Sequence, residues 1–233
     1  MGKTVQGGQE GKGSGMKKSS PAYVVGFMIV VCALCGAMVS FVQYSMKPTL
    51  DANARLARNR TIARAFGLSV ARQTAGAYDS ALTEHVNATT VSDNNRQWQL
   101  FTRSEAPYDV GFIFTGMAFW DMVTGIIVLS DDLGVIRSIE IIEQKETPGL
   151  GARIEEPRFK EQFKGYPVDW SQPAGRRIVF GEAGQSGGHR IDAITGATQT
   201  SSALQRILNS ELDAFKRVYD SHRTADTLRS GGR

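Results

Sequence analysis

Residues 23–42 read YVVGFMIVVCALCGAMVSFV, twenty residues in a row without a charge. As a helix, a run of that length crosses a hydrocarbon core about 30 Å thick. A segment in lipid must satisfy its own backbone hydrogen bonds, and a helix does so. Lys17 and Lys18 precede the run, as basic residues do in a cleavable leader. The apolar stretch is longer than a leader needs, however, and Gln43-Tyr-Ser-Met-Lys47 offers no small-x-small cleavage site. A retained transmembrane helix over residues 22–44 is the expectation.

The flanks of that helix carry most of the chain's charge asymmetry. Residues 1–21 are dominated by Gly, Lys, Ser and Gln and are expected to stay disordered, having too little apolar surface to bury. Of a formal net charge of +4, most sits here, in Lys3, Lys12, Lys17 and Lys18 against Glu10. The rest of the chain is close to neutral, which argues against a nucleic-acid surface. Arg55, Arg58, Arg60 and Arg64 lie beyond the span, so the bias of basic residues leaves its orientation open. The two cysteines, Cys32 and Cys35, both fall inside the apolar run. Residues outside the run therefore form no disulfide and no thiolate metal site, and two thiols are too few ligands for zinc or an iron–sulfur cluster.

Residues 45–222 have the length of one ordinary domain, with a flexible tail expected over 223–233. Pro48 marks the exit from the span. Residues 49–67 then read as an amphipathic helix closed by Gly67, and 71–83 as a second helix followed by a polar loop through residue 95. His85 stands alone, without a second histidine to make a metal site. Strands are expected at 97–102, 109–115, 126–129, 135–142 and 177–180, with Gly134 turning the 126–129/135–142 hairpin. A short helix fits 158–164. The final helix fits 203–219, where Leu204, Ile207, Leu208, Leu212, Phe215 and Tyr219 recur at spacings of three and four. The fold class is α+β: a small antiparallel or mixed sheet packed with helices, preceded by one N-terminal transmembrane helix.

Three short stretches point to chemistry. Gly116-Met-Ala-Phe-Trp120 with Gly125 places an aromatic side chain between two glycines, either for core packing or to flank a flat ring. Glu146-Thr-Pro-Gly-Leu-Gly151 encodes a turn, either a plain surface turn or a loop that presents N–H groups and Thr147 to a ligand. Asp192-Ala-Ile-Thr-Gly-Ala-Thr198 comes after the polar loop 181–188 and ends just before the final helix, with Thr200 and Ser201 as possible caps. Free N–H groups and the helix dipole favour an anion there, though an ordinary capped helix start has the same local pattern.

Taken together, in this order and spacing, the three stretches resemble the FMN-binding domain family of membrane-anchored bacterial respiratory subunits. That family includes the FMN-binding C subunit of the sodium-translocating NADH:quinone reductase and the G subunit of the Rnf electron-transport complex. The resemblance runs over roughly residues 22–220, and the post-membrane run Lys47-Pro-Thr-Leu-Asp-Ala-Asn53 is closer to the sodium-pump subunit. It implies FMN bound covalently, its phosphate esterified to the hydroxyl of Thr198 by a flavin transferase that uses FAD and magnesium. Asp192 and Gly196 belong to the recognition pattern, and Ala197 and Gly196 leave the hydroxyl unobstructed. Thr195, Thr200 and Ser201 are nearby hydroxyls able to touch the phosphate, and the rivals for attachment. Trp120, Glu146, Thr147, Leu150 and Gly151 are implied to line the flavin ring, with Lys145 and Arg153 flanking it.

The resemblance further implies an electron-relay subunit, active only within a multisubunit reductase, with the flavin carrying the redox chemistry and no catalytic side chain of its own. The chain has no G-x-G-x-x-G after a strand and no ferredoxin-like cysteine spacing, so NADH and an iron–sulfur cluster would belong to partners. The implied location is the bacterial inner membrane, with residues 1–21 cytoplasmic and the domain at 45–222 extracytoplasmic. The corresponding Rnf subunit and a non-enzymatic membrane-anchored scaffold are the alternatives.

Overall fold

The computed structural model describes residues 21–93, 96–181 and 189–230, with side chains up to Arg223. The segment 1–20, most of the polar loop 181–188 and residues 231–233 lie outside the described residues. The chain divides into two units, one ending at Asp51 and the other beginning at Ala52.

Helix α1 runs from Pro21–Ala65 without interruption. Among the described residues it is the one helix long and apolar enough to cross a membrane. The break expected at Pro48 does not occur. A proline inside a helix removes one N–H and so one backbone bond. The strong helix formers after it, from Leu50 through Ala54 to Ala57, carry the helix past that loss. It ends where Gly67 takes a positive φ of 67° and Leu68 N–H reaches back 2.9 Å to the Ala63 carbonyl, a glycine-closed C-terminus.

In the second unit, α2 (Ala75–His85) leads into a five-stranded antiparallel meander, β1 (Val86–Asp93), β2 (Arg96–Arg103), β3 (Val110–Met117), β4 (Met122–Leu129) and β5 (Ile136–Glu143), in sequential order. Strand β1 replaces the polar loop expected there. It pairs along its whole length with β2, from Val86 opposite Arg103 to Asp93 opposite Arg96. As an edge strand it exposes Asn87 to Thr90, so it lacks apolar alternation, and only its β-branched residues betray it.

β4 explains why the sheet is covered on both sides. Ile127 and Leu129 join a core with α4 (Thr198–Ser230), while Ile126 and Val128 join Ile62, Ala65 and Phe66 from the end of α1. A strand buried on both faces reads as a continuous apolar run. On the α4 face, Phe112 stacks on Phe215 at 4.1 Å between ring centroids, with Trp98 beside both. Each such buried side chain contributes roughly 1.5–3 kcal/mol from removal of apolar surface. Arg96 grips Glu211 of α4 with two hydrogen bonds, 2.8 and 2.5 Å, while its guanidinium lies 4.0 Å above Trp98.

After β5 come a short 3-10 turn (Gly151–Glu155) and α3 (Pro157–Glu161). The strand expected at 177–180 is reduced to β6 (Phe180–Gly181), paired in parallel with β7 (Ile191–Asp192). α4 starts five residues earlier than the apolar stripe suggests and continues past residue 222, where a tail was expected. Its first turn is polar, so periodicity alone does not register it.

Candidate functional site

Two turns of the same kind bring the motif residues together. In Thr147-Pro-Gly-Leu150, the Leu150 N–H donates to the Thr147 carbonyl at 3.1 Å, with Gly149 third in the turn at φ 76°. In Ile194-Thr-Gly-Ala197, the Ala197 N–H donates to the Ile194 carbonyl at 2.9 Å, with Gly196 third at φ 80°. A positive φ at the third residue is the requirement of a type II turn, and it selects glycine there. The second turn delivers the chain into α4, whose first intrahelical bond runs from Ser201 N–H to the Ala197 carbonyl. Ala197 is thus the N-cap and Thr198 the first helical residue. A methyl cannot cap, so among the described residues the N–H groups of Thr198, Gln199 and Thr200 have no side-chain cap.

These turns and the β3–β4 loop enclose a cleft of about 250 Å³. Trp120, Glu146, Thr147, Leu150, Gly151, Gly196, Ala197, Thr198 and Thr200 line it, together with Phe119 and Gln199, which the sequence did not single out. Phe119 is legible only in hindsight, as the neighbour of Trp120 at a hairpin tip. Asp192 and Thr195 fall instead on an adjoining cleft of about 230 Å³ with Arg153, Arg158 and Gln162. There the Asp192 N–H donates to Gln162 Oε1 at 2.7 Å.

The hydroxyls of the motif have different fates. Thr200 is 3 % exposed and its Oγ1 donates to Glu146 Oε2 at 2.6 Å. Ser201 is buried, and its Oγ accepts the Ile194 N–H at 3.0 Å. Both are engaged in structure rather than capping α4. Thr195 is exposed but opens on the other cleft. Thr198 is exposed and opens on the cleft with Trp120. Helical phase is the reason: residues two apart in a helix point to nearly opposite sides, so Thr198 faces out while Thr200 faces in.

Glu146 is 5 % exposed, with Oε1 accepting the N–H groups of Phe119 and Trp120 at 3.0 and 2.8 Å. Gly151 leaves room for this arrangement, since a Cβ there would stand 2.6 Å from Thr200 Oγ1 and 2.7 Å from Glu146 Oε2. Trp120 does not pack in the core; it is 65 % exposed, edge-on to Phe119 at 5.1 Å. The flanking glycines do not make space for a ligand. A Cβ on Gly116 would meet Ile207 at 2.6 Å, and one on Gly125 would meet the Phe114 ring at 2.4 Å, so each lets its own core close.

The expected cations are both paired. Lys145 Nζ lies 2.9 Å from Asp121, and that hydrogen bond holds the Asp121 carboxyl below the usual carboxylate range while raising Lys145. Arg153 lies 3.1 Å from Glu156, on the adjoining cleft.

Residues 118–213 match the family model of the FMN-binding domain, and that stretch contains the whole cleft. The match lies wholly within the second unit of the chain. Its relatives are named as the C subunit of the Na(+)-translocating NADH-quinone reductase. The protein from Vibrio alginolyticus is 38 % identical over 93 residues, 39 % of this chain and 36 % of the relative. That from Yersinia pestis is 36 % identical over 96 residues, 40 % of this chain and 36 % of the relative. The matched segment thus spans about a third of those relatives' length. The solved structure of the same subunit from Parabacteroides distasonis superposes with a TM-score of 0.63 at 21 % identity, over 74 % of this chain and 96 % of that one. NqrC from Shewanella oneidensis gives 0.58 at 19 % identity, over 70 % and 99 %. The fold of this chain is shared with both solved structures.

Proposed function

We propose that the chain is the FMN-carrying electron-relay subunit of a sodium-translocating NADH:quinone reductase, with the flavin esterified through its phosphate to Thr198. The observation that carries this is the segregation of hydroxyls. Of those in and just after the motif, Thr198 alone combines exposure, the first turn of a long helix, and a cleft walled by Trp120, Thr147 and Leu150.

The residues fit the group. A phosphate on Thr198 Oγ1 would be held at the N-terminus of α4, where the first-turn N–H groups and the helix dipole favour an anion. Trp120 and Leu150, both exposed, would offer apolar faces to a planar ring, and Thr147 lines the same cleft. When bound, FMN supplies the one- and two-electron redox chemistry; the chain binds, orients and shields it. In the attachment step, Thr198 Oγ1 would bond to the FMN-side phosphorus of FAD as the pyrophosphate bond breaks, with AMP leaving and the hydroxyl proton released. A magnesium-dependent flavin transferase is the partner for that step. The exposed Asp192 and Gly196 belong to the surface it would read.

The remaining partners are the other membrane subunits of the reductase, with α1 as the anchor in the bacterial inner membrane. In this reading residues 1–21 are cytoplasmic and the domain at 45–222 is extracytoplasmic. A helix cap serving a bare scaffold requires neither an exposed tryptophan nor a cleft. Co-expression with and without the transferase, followed by intact mass and in-gel flavin fluorescence, tests the reading. The flavin adduct is expected only with the transferase, and never on Thr198→Ala. An adduct on that variant, or none on the wild type, overturns it.

A further inference from the structure

Trp120 poses a physical question, because its indole is largely exposed and gains little from packing. Something other than side-chain contact must fix it on the cleft wall. Its loop, residues 118–121, is closed by the Ala118 N–H donating to the Asp121 carbonyl at 3.0 Å. The Lys145–Asp121 ion pair outside it is solvent-exposed, and exposed pairs contribute little. The inner side is different. There a buried carboxylate takes the consecutive N–H groups of Phe119 and Trp120 on one oxygen and the Thr200 hydroxyl on the other. Hydrogen bonds to a charged acceptor in a site of low dielectric are the strong kind.

We propose that Glu146 is the positioning residue of the cleft: its carboxylate clamps the β3–β4 loop to the first turn of α4 and thereby sets Trp120 against the space that Thr198 opens into. This rests on the flavin reading above, but the clamp is a property of the chain itself. Glu146 acts through backbone groups and not by presenting its charge to the ring, because both its oxygens are taken and its side chain is buried. The geometry makes this separable from a charge effect. In Glu146→Gln, the amide oxygen can keep both N–H groups. Its NH₂ would donate to Thr200 Oγ1, which reverses from donor to acceptor. Glu146→Leu keeps the volume and loses every bond. Glu146→Asp keeps the charge and loses one methylene of reach.

Two measurements on the full-length chain in detergent decide it. The first is amide hydrogen exchange at Phe119 and Trp120 in the flavin-free protein. Exchange is expected to be slow in the wild type and Glu146→Gln, and fast in Glu146→Leu and Glu146→Asp. The second is flavin fluorescence of the loaded protein, scaled against Trp120→Leu. Wild type and Glu146→Gln are expected to be quenched, with Leu and Asp rising toward the Trp120→Leu level. Glu146→Asp serves if Glu146→Leu does not fold. Wild-type protection in both Leu and Asp variants overturns the clamp, as does a Gln variant that behaves like Leu. A wild type that takes up no flavin sinks the functional reading, while the exchange measurement still decides the clamp.

Discussion

Thr200 and Glu146, 54 residues apart in sequence, share a hydrogen bond of 2.6 Å that ties the first turn of α4 to the loop after β5. Thr200→Val preserves the shape and leaves a buried carboxylate oxygen without its donor. Such a loss costs about 1–3 kcal/mol. The urea midpoint is expected to fall with an unchanged slope, since the surface exposed on unfolding is the same.

Gly151→Ala puts a methyl 2.6 Å from Thr200 Oγ1 and 2.7 Å from Glu146 Oε2, so it attacks the same contact from the other side. The expected loss is again about 1–3 kcal/mol from overpacking. Because both changes break one interaction, the double variant is expected to lose less than the sum of the two singles. Strict additivity in a urea-melt cycle would show that the two residues do not meet.

Thr198→Ser keeps the hydroxyl and is expected to retain the flavin adduct. Thr195→Val and Thr200→Val are expected to retain it too, because Thr195 opens on the other cleft and the buried Thr200 hydroxyl is taken by Glu146. Intact mass of the full-length chain after co-expression with the transferase reads all three. Loss of the adduct in Thr195→Val with Thr198 present would move the attachment point.

Tyr166 is buried, donating its hydroxyl to the His189 carbonyl at 3.0 Å and accepting the Val179 N–H at 3.1 Å. Burial pushes its phenol above the ordinary tyrosine range. A folded-state value above the unfolded one means the stabilisation is complete below about pH 10, the unfolded tyrosine value, and is lost as pH rises toward the folded value. Wild type is therefore expected to lose stability above pH 10 more steeply than Tyr166→Phe. Phenolate absorbance at 295 nm, compared between the two by alkaline titration at about pH 10, is the check.

Gly125 sits under the Phe114 ring and 2.7 Å, measured from an added Cβ, from the Glu140 carbonyl. Neither neighbour is the end of a flexible side chain, so Gly125→Ala is expected to destabilise by about 1–3 kcal/mol. A calorimetric melt unchanged from wild type would contradict the packing described for β4.

The site was legible where the chemistry is local. Pro148-Gly149 announces a turn and Gly196 a glycine turn before the helix; the structure makes both type II, with the glycine at the positive-φ third position. Strands β2 to β5 carry apolar patterns strong enough to read. β1 does not, since an edge strand takes its register from its partner and presents polar side chains outward. The continuity of α1 through Pro48 was equally hidden, because one missing N–H is weighed against every helix former around it.

By itself, then, the sequence determined the apolar helix, the order of the main strands, the two glycine turns and the motif ending in Thr198. Only the tertiary structure decided which hydroxyl stands open and what Glu146 does. Four hydroxyls within seven residues are chemically alike along the chain. They are separated by the phase of α4 against the sheet, together with a carboxylate from a distant loop that takes Thr200 inward. Those are relations between elements far apart in sequence, and no local pattern encodes them.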